Sequence, residues 1–280
     1  MAKLQVLRKR YKSIQATADM ASAMKTASSV KYAKISRILT GIDAYARACD
    51  DTLALFGDAV LLRKTDKVQT RNCMVLFSND RGFCGAFNRE LLAFFRTRMD
   101  EEAEPPLLLV SGQEGISFCK KNGLEFEELK FPDIPEYADA EALTQKLLGL
   151  YESGEVDRVF IVHQHFENMM KQTPDAEQIL PHQPKEGAAD AEDILFLPDR
   201  EKAMEMPAKY CLTNSIYRIM LGHCAGIQAA TTVAMRSACD NAEKSLEELG
   251  VEINRIRQAE VTNSVIETSS YLVNEEESMN

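Results

Sequence analysis

LQVLRKRYKSIQATADMASAMKTASSVKYAKISRIL, residues 4–39, decides the plan of this chain. Steps of three and four residues through it and onward meet Leu4, Leu7, Tyr11, Ile14, Ala18, Ala21, Lys25, Ser28, Tyr32, Ile35, Leu39, Ile42, Ala46, Cys49, Leu53, Phe56 and Val60. Only Lys25 and Ser28 interrupt the apolar series, which is the spacing of a helix that lies along another helix. One helix over residues 1–60 is therefore expected. From Leu4 to Val60 it would measure roughly 85 Å at the α-helical rise. A compact domain of this size is narrower than that, so the helix is expected to project.

Its partner is expected at the other end of the chain. Met235, Cys239, Ala242, Leu246, Leu249, Ile253 and Ile256 repeat the spacing; Glu260 breaks it, and Val261 and Val265 resume it in a shifted register. All nine prolines lie between Pro105 and Pro207, so neither terminal stretch carries the residue that most disrupts a helix interior. The second long helix is placed at residues 207–273, with Pro207 near its start. Two helices that enter one middle domain from opposite termini should run antiparallel.

The totals exclude several classes. No apolar run approaches the ~18 residues that would suggest a membrane span, and the start, Met1 to Arg10, has no apolar core of a secretory signal. Seven cysteines are scattered and never spaced C-x-x-C, which predicts reduced, partly buried thiols. The net charge of −10 conceals an asymmetry: residues 1–37 hold nine Lys/Arg and one Asp, whereas residues 100–205 hold nine against twenty-five acids. A basic helix without a recognition motif, beside an acidic middle, argues against nucleic acid and for insertion into an acidic protein cavity.

Residues 70–205 read as a small, mainly parallel α/β sheet domain. Cys73 to Phe77, Leu107 to Val110 and Val156 to Phe166 are strand patterns, separated by helices at 88–99, 114–121 and 141–151. Thr173 to Asp193 reads as a mobile loop or hairpin, and Ile194 to Leu197 as a short strand. The first strand runs into Ser78-Asn79-Asp80-Arg81-Gly82-Phe83-Cys84-Gly85-Ala86-Phe87-Asn88. Two glycines before a helix can cradle a phosphate with Arg81 pairing it, but the spacing fits neither G-x-G-x-x-G nor the P-loop. The competing reading is a structural turn with an Asp80–Arg81 ion pair and Asn88 capping the next helix. Cys84 lacks an assigned base for a nucleophilic role, and His163 and His165, two apart on a strand, read as a solvated pair rather than metal ligands.

Asp80-Arg81-Gly82-Phe83-Cys84-Gly85-Ala86-Phe87-Asn88 resembles the S-D-R-G-L-C-G-x-F-N motif of the gamma subunit of the F-type ATP synthase. Ile14, Thr17, Ala23 and Met24, followed by Lys31, stand in the places of that family's first-helix motif. Ala234-Met235-Arg236-Ser237-Ala238-Cys239-Asp240-Asn241-Ala242 and Asn254-Arg255-Ile256-Arg257-Gln258-Ala259-Glu260-Val261-Thr262 match its two last-helix blocks. Four blocks in order cover essentially the whole chain. Ile227, Thr231 and Ser264 stand where the family tends to have Glu, Arg and Glu, and the acidic balance is also unusual for it; both suggest a divergent bacterial form.

The resemblance implies a long antiparallel coiled coil of the N- and C-terminal helices plus a small Rossmann-like α/β domain. It implies a non-catalytic central rotor stalk that couples ion-driven rotation to ATP synthesis or hydrolysis. Met24, Lys31, Gln228, Arg257, Gln258 and Thr262 would face the hexamer of alpha and beta subunits; Asp80, Arg81, Gly82, Gly85 and Asn88 would shape the foot, which meets the epsilon subunit and the membrane c-ring. The coil seam would comprise Leu4, Leu7, Ile14, Met235, Leu246, Leu249, Ile253 and Ile256. The expected location is peripheral, on the cytoplasmic face of a bacterial inner membrane, with no cofactor, metal or organelle transit peptide. Two other classes remain open from the residues alone: a Rossmann-like phosphate-binding enzyme with helical arms, and a coiled-coil adaptor.

Overall fold

The computed structural model describes residues 2–54, 71–181 and 200–278. The connector Leu62 to Lys67, the strand expected at Ile194 to Leu197, and Phe56 and Val60 of the seam lie outside those residues. Ten elements follow in order: α1 (Ala2–Ala54), β1 (Cys73–Phe77), α2 (Phe87–Asp100), β2 (Leu107–Ser111), α3 (Gln113–Lys121), β3 (Glu127–Leu129), α4 (Tyr137–Glu152), β4 (Val159–Asn168), β5 (Lys171–Leu180) and α5 (Arg200–Ser278). They divide into two compact units, Ser28–Val233 and the two terminal stretches outside it, up to Ala27 and from Ala234.

The larger unit is built on a five-stranded sheet of order β3-β2-β1-β4-β5. The first four strands are parallel, and β5 returns antiparallel along β4. Strand β1 is apolar and buried throughout, as a central parallel strand covered on both faces must be. Its period of two divides its side chains between layers. Cys73, Val75 and Phe77 pack with Leu143 and Leu147 of α4 and with Ile216 of α5. Met74 and Leu76 face Leu91 and Phe95 of α2 and Ile116 of α3. The C-terminal helix is thus one of the layers that cover the sheet.

Two strands differ from expectation. β3 is three residues long, largely exposed and rich in glutamate, so no apolar pattern announces it. β5 orders residues 171–180, the first part of the stretch expected to be a loop or hairpin. Pro174 is tolerated there because β5 is an edge strand among the described residues. The turn into it is closed by Asn168, whose Oδ1 accepts from the Met170 and Lys171 amides at 2.9 and 3.0 Å. α5 starts at Arg200 rather than Pro207; Pro207 lies inside it and removes one internal hydrogen bond without ending the helix.

Within the same unit α1 lies against α5. Ile35, Leu221 and Ala225 form a fully buried knot, wrapped by Tyr32, Leu39 and Ile42. Farther along, the Cys211 thiol donates to the Cys49 carbonyl at 3.8 Å. As the α1 number rises, its α5 partner's number falls, so the helices are antiparallel.

The smaller unit repeats that arrangement. Lys3 Nζ lies 3.6 Å from Glu252 Oε1, and the Cys239 thiol donates to the Ala18 carbonyl at 3.9 Å. Ala21, Met235 and Cys239 make its core, with Met24, Ala234 and Ala238 packed against it. Leu4, Leu7 and Leu249 are buried, while Ile14, Leu246, Ile253 and Ile256 are half-buried. Beyond them the resumed register finds no cover: Val261 and Val265 are exposed, as is Ile266.

Candidate functional site: the crevice at the ends of the parallel strands

The chain leaves β1 for β2 and β3 on one side and returns to β4 on the other. That reversal makes a crevice at the carboxyl ends of the strands, where open α/β sheets hold ligands. The glycine-bearing turn from Ser78 to Asn88 sits there. Its first three residues serve the leading amides of α3 in succession. Gln113 N donates to Asp80 Oδ1 at 3.0 Å, Glu114 N to the Asn79 carbonyl at 3.1 Å, and Gly115 N to Ser78 Oγ at 2.8 Å. Ser78 Oγ in turn donates to the Ser111 carbonyl at 2.7 Å.

These bonds decide between the two readings of the motif. A helix start binds an anion through free amides and the positive end of its dipole. Here the Asp80 carboxylate already occupies that position, and the remaining amides are satisfied. The expected Asp80–Arg81 ion pair is replaced by this bond to Gln113, while Arg81 and Gly82 are exposed. Gly85 supplies a positive φ of 62°, and the exposed Phe83 holds one of 66°. Asn88 does not cap α2: that helix starts at Phe87 after Ala86, and Asn88 is buried inside it.

Next to the turn lies a cavity of about 380 Å³, bounded by Phe77, Ser111, Leu129 and Phe131 from the sheet side and by Met220, His223 and Gln228 of α5. His223 was not singled out from the sequence; a single histidine among helical apolar positions carries no local signal. It is buried, and its Nδ1 accepts from the Gln164 amide at 3.2 Å. Gln164 Nε2 also donates to the Phe87 carbonyl at 2.9 Å, tying β4 to the end of the glycine turn.

The residues expected to meet a surrounding hexamer do not form one cluster. Met24 is half-buried against the core of the smaller unit, and Arg257, Gln258 and Thr262 are exposed on α5 of that unit. Lys31 and Gln228 belong to the larger unit. Lys31 Nζ donates to Asp133 Oδ2 at 2.6 Å, and that hydrogen bond and charge hold the Asp133 carboxyl below its ordinary value. Asp133 was missed because it stands 102 residues from its partner. Thr231, in the place of the family arginine, is buried, whereas Ser264 is exposed.

Burial governs the titration of the unit. His163 is not the solvated residue expected; it is buried on β4, with the exposed His165 ring 6.3 Å away. Desolvation lowers His163 to about 4, opposed by the Gln164 backbone and Asp175 and aided by His165 and Arg218, and it lowers His223 to about 3, with His163 adding to the effect. The same cause pushes Cys73 and Cys224 up to about 12 and Cys119 to about 11, which keeps these thiols protonated.

A pH dependence follows. In the unfolded chain both histidines take protons near 6.5, while the fold refuses them until about 4 and about 3. Stability present above the unfolded value is therefore lost as the pH falls through this window, by about 1.4 kcal/mol per pH unit for each histidine. Asp133 acts in the same direction, from its ordinary value of 3.8 downward. The urea midpoint of the chain is expected to fall between about pH 6.5 and pH 4.5. A midpoint that stays level there would contradict the burial of both rings.

Comparison with known proteins completes the assignment. The ATP synthase family model matches residues 3–270. The ATP synthase gamma chain of Moorella thermoacetica is 28% identical over 275 residues, covering 95% of this chain and 97% of that one. That of Desulfitobacterium hafniense is 27% identical over 273 residues, with the same coverage. Among solved structures, a chain of the Euglena gracilis mitochondrial ATP synthase, in rotational state 3 with OSCP, F1 and c-ring, superposes with a TM-score of 0.67 at 14% identity, over 97% of this chain and 94% of that one. A chain of the rotor from the same organism gives 0.65 at 15% identity, over 93% and 99%. At such identities the structural likeness is one of fold, and it agrees with the family model. The chain belongs to the gamma-chain family of the F-type ATP synthase.

Proposed function

We propose that this chain is the central rotor stalk of an F-type ATP synthase, non-catalytic itself, and that it transmits rotation between an ion-driven ring and the catalytic subunits. The observation that carries the reading is the antiparallel pairing of α1 with α5 within each compact unit, in a member of this family. Two helices that share a seam resist bending better than one, as a rotating part must. In this reading Met24, Lys31, Gln228, Arg257, Gln258 and Thr262 meet the hexamer of alpha and beta subunits. The basic start of α1 suits an acidic sleeve. The α/β unit then rests against the epsilon subunit and the c-ring, with Asp80, Arg81, Gly82, Gly85 and Asn88 as its family motif. The protein is peripheral, at the cytoplasmic face of a bacterial membrane; no described helix is long and apolar enough to cross one.

The self-satisfied start of α3 weighs against the phosphate-binding alternative, because the place an anion would take is filled by Asp80. Reconstitution tests the rotor reading. The full chain, mixed with alpha and beta subunits of a bacterial enzyme, is expected to co-purify as one copy within a hexamer and to raise its ATP turnover. A hexamer that forms and turns over without retaining this chain would overturn it.

A further inference from the structure

The segment that joins β3 to α4, Phe131-Pro132-Asp133-Ile134-Pro135, touches the sheet core and the α1–α5 pair of the larger unit at once. Each proline fixes its own φ and keeps the residue before it extended, so the segment is stiff although it forms no helix or strand. Its ends are held. Leu129 is in register with Ser111 at the end of β3, and the Glu136 amide donates to Asp139 Oδ2 at 2.7 Å where α4 begins.

Its side chains divide between the layers. Phe131 packs on the sheet core and meets the Phe77 ring edge to face, with centroids 5.9 Å apart. Ile134 packs on the knot of Ile35, Leu221 and Ala225, where α1 lies against α5. Asp133 accepts from Lys31 Nζ at 2.6 Å, and the charge of Arg81 in the glycine turn adds to the effect of Lys31 on its carboxyl. The Asp133 charge is felt in turn by Cys224 of α5, beyond the desolvation that dominates there. The next residue of α1, Tyr32, places its ring 5.9 Å from that of Phe166 on β4. One turn of α1 is thus held at two separate supports, which keep it from rolling where one would leave a pivot. The ion pair contributes little to folding, since its side chains are 39% and 69% exposed. Its effect is on where α1 sits.

On the rotor reading, on which this rests, we propose that residues 131–135 are the strap through which the sheet turns the α1–α5 pair, with Asp133 the positioning residue that holds α1 at Lys31. Force enters at Phe131, crosses the stiff segment and leaves at Ile134 and Asp133. Ile134 engages both helices, because Ile35 belongs to α1 and Leu221 and Ala225 to α5. Without Asp133, α1 keeps its apolar contacts but slips more easily against the segment.

Hydrogen–deuterium exchange on the isolated full chain reads the strap independently of any complex. Asp133→Lys is expected to move the urea midpoint little but to speed exchange over residues 31–42 of α1 by about threefold. Lys31→Asp combined with Asp133→Lys should restore the wild-type rate, because the pair is remade with its charges exchanged. In a reconstituted ATP synthase, Asp133→Lys is expected to lower the ions moved per ATP hydrolysed by about twofold or more. Asp133→Glu should keep the wild-type ratio, and Asp133→Asn, which removes the charge without reversing it, should lower it by less. Unchanged exchange in Asp133→Lys, no recovery in the exchanged pair, or full coupling in both Asp133→Lys and Asp133→Asn would each overturn the strap alone. A wild-type chain that the hexamer does not retain would overturn the rotor reading, and the strap's role with it.

Discussion

Replacing Gly112 with alanine is expected to destabilise the α/β unit by more than about 3 kcal/mol, enough to consume much of the stability of an ordinary domain. Two independent causes act at this position. Gly112 has φ 86° and ψ 140°, a conformation that only glycine adopts without strain. A Cβ built there would also lie 2.2 Å from the Ser78 carbonyl oxygen and 2.5 Å from its carbon. The clash is with backbone, so no rotamer relieves it. Ser78 cannot retreat, because its amide donates to the Ser111 carbonyl at 3.0 Å and its hydroxyl holds Gly115. A change that parts these segments also breaks the Asp80–Gln113 bond and frees the start of α3. Gly123→Ala provides the comparison: φ is 66°, but nothing lies within 4 Å of the added Cβ, so only backbone strain of about 1 kcal/mol is expected. Urea denaturation of both variants measures the difference. Equal midpoints would show that the close approach of β1 to the start of α3 is not rigid.

Leu249→Asp is expected to disrupt the smaller unit while leaving the α/β unit folded. Leu249 is buried, in the helical pair where Lys3 and Glu252 meet. A carboxylate there loses the leucine's burial and is itself desolvated, a cost of about 3 kcal/mol or more. The unit has a modest core of small residues around Ala21, Met235 and Cys239, so little remains to hold α1 against α5. Far-UV circular dichroism should show a low-temperature loss of helix ahead of the main transition. Ile253→Asp, at a half-buried position, should act in the same direction with less effect. Val261→Asp, at an exposed position, should leave the melt of the isolated chain unchanged. In a reconstituted ATP synthase, Leu249→Asp is expected to separate ATP turnover from ion transport while the catalytic sites still hydrolyse ATP. Full coupling in that variant would contradict the load-bearing role proposed for this helical pair.

The long helices and the middle of the sheet were legible in advance because their evidence is periodic and local. From Leu4 to Cys49, every residue met in the steps of three and four is buried or half-buried, Lys25 and Ser28 included. The covalent spacing of side chains along a helix sets that periodicity wherever the partner comes from. Cys73 to Phe77 declared a central strand for the same kind of reason: a short run with no polar face has to be covered on both sides. β3 and β5 carried no such mark. They are edge strands, and what defines them is the backbone ladder of a neighbour.

The glycine turn divides along the same line. Its residue types announced a special backbone after β1, and four family blocks in order announced the family. What Asp80 does was settled by Gln113, 33 residues away, and what Lys31 does within this chain by Asp133, 102 residues away. The protonation of His163 and His223 depends on which side chains exclude water from them. Hydrogen bonding and desolvation act between groups near in space, and only the packed structure brings those groups together.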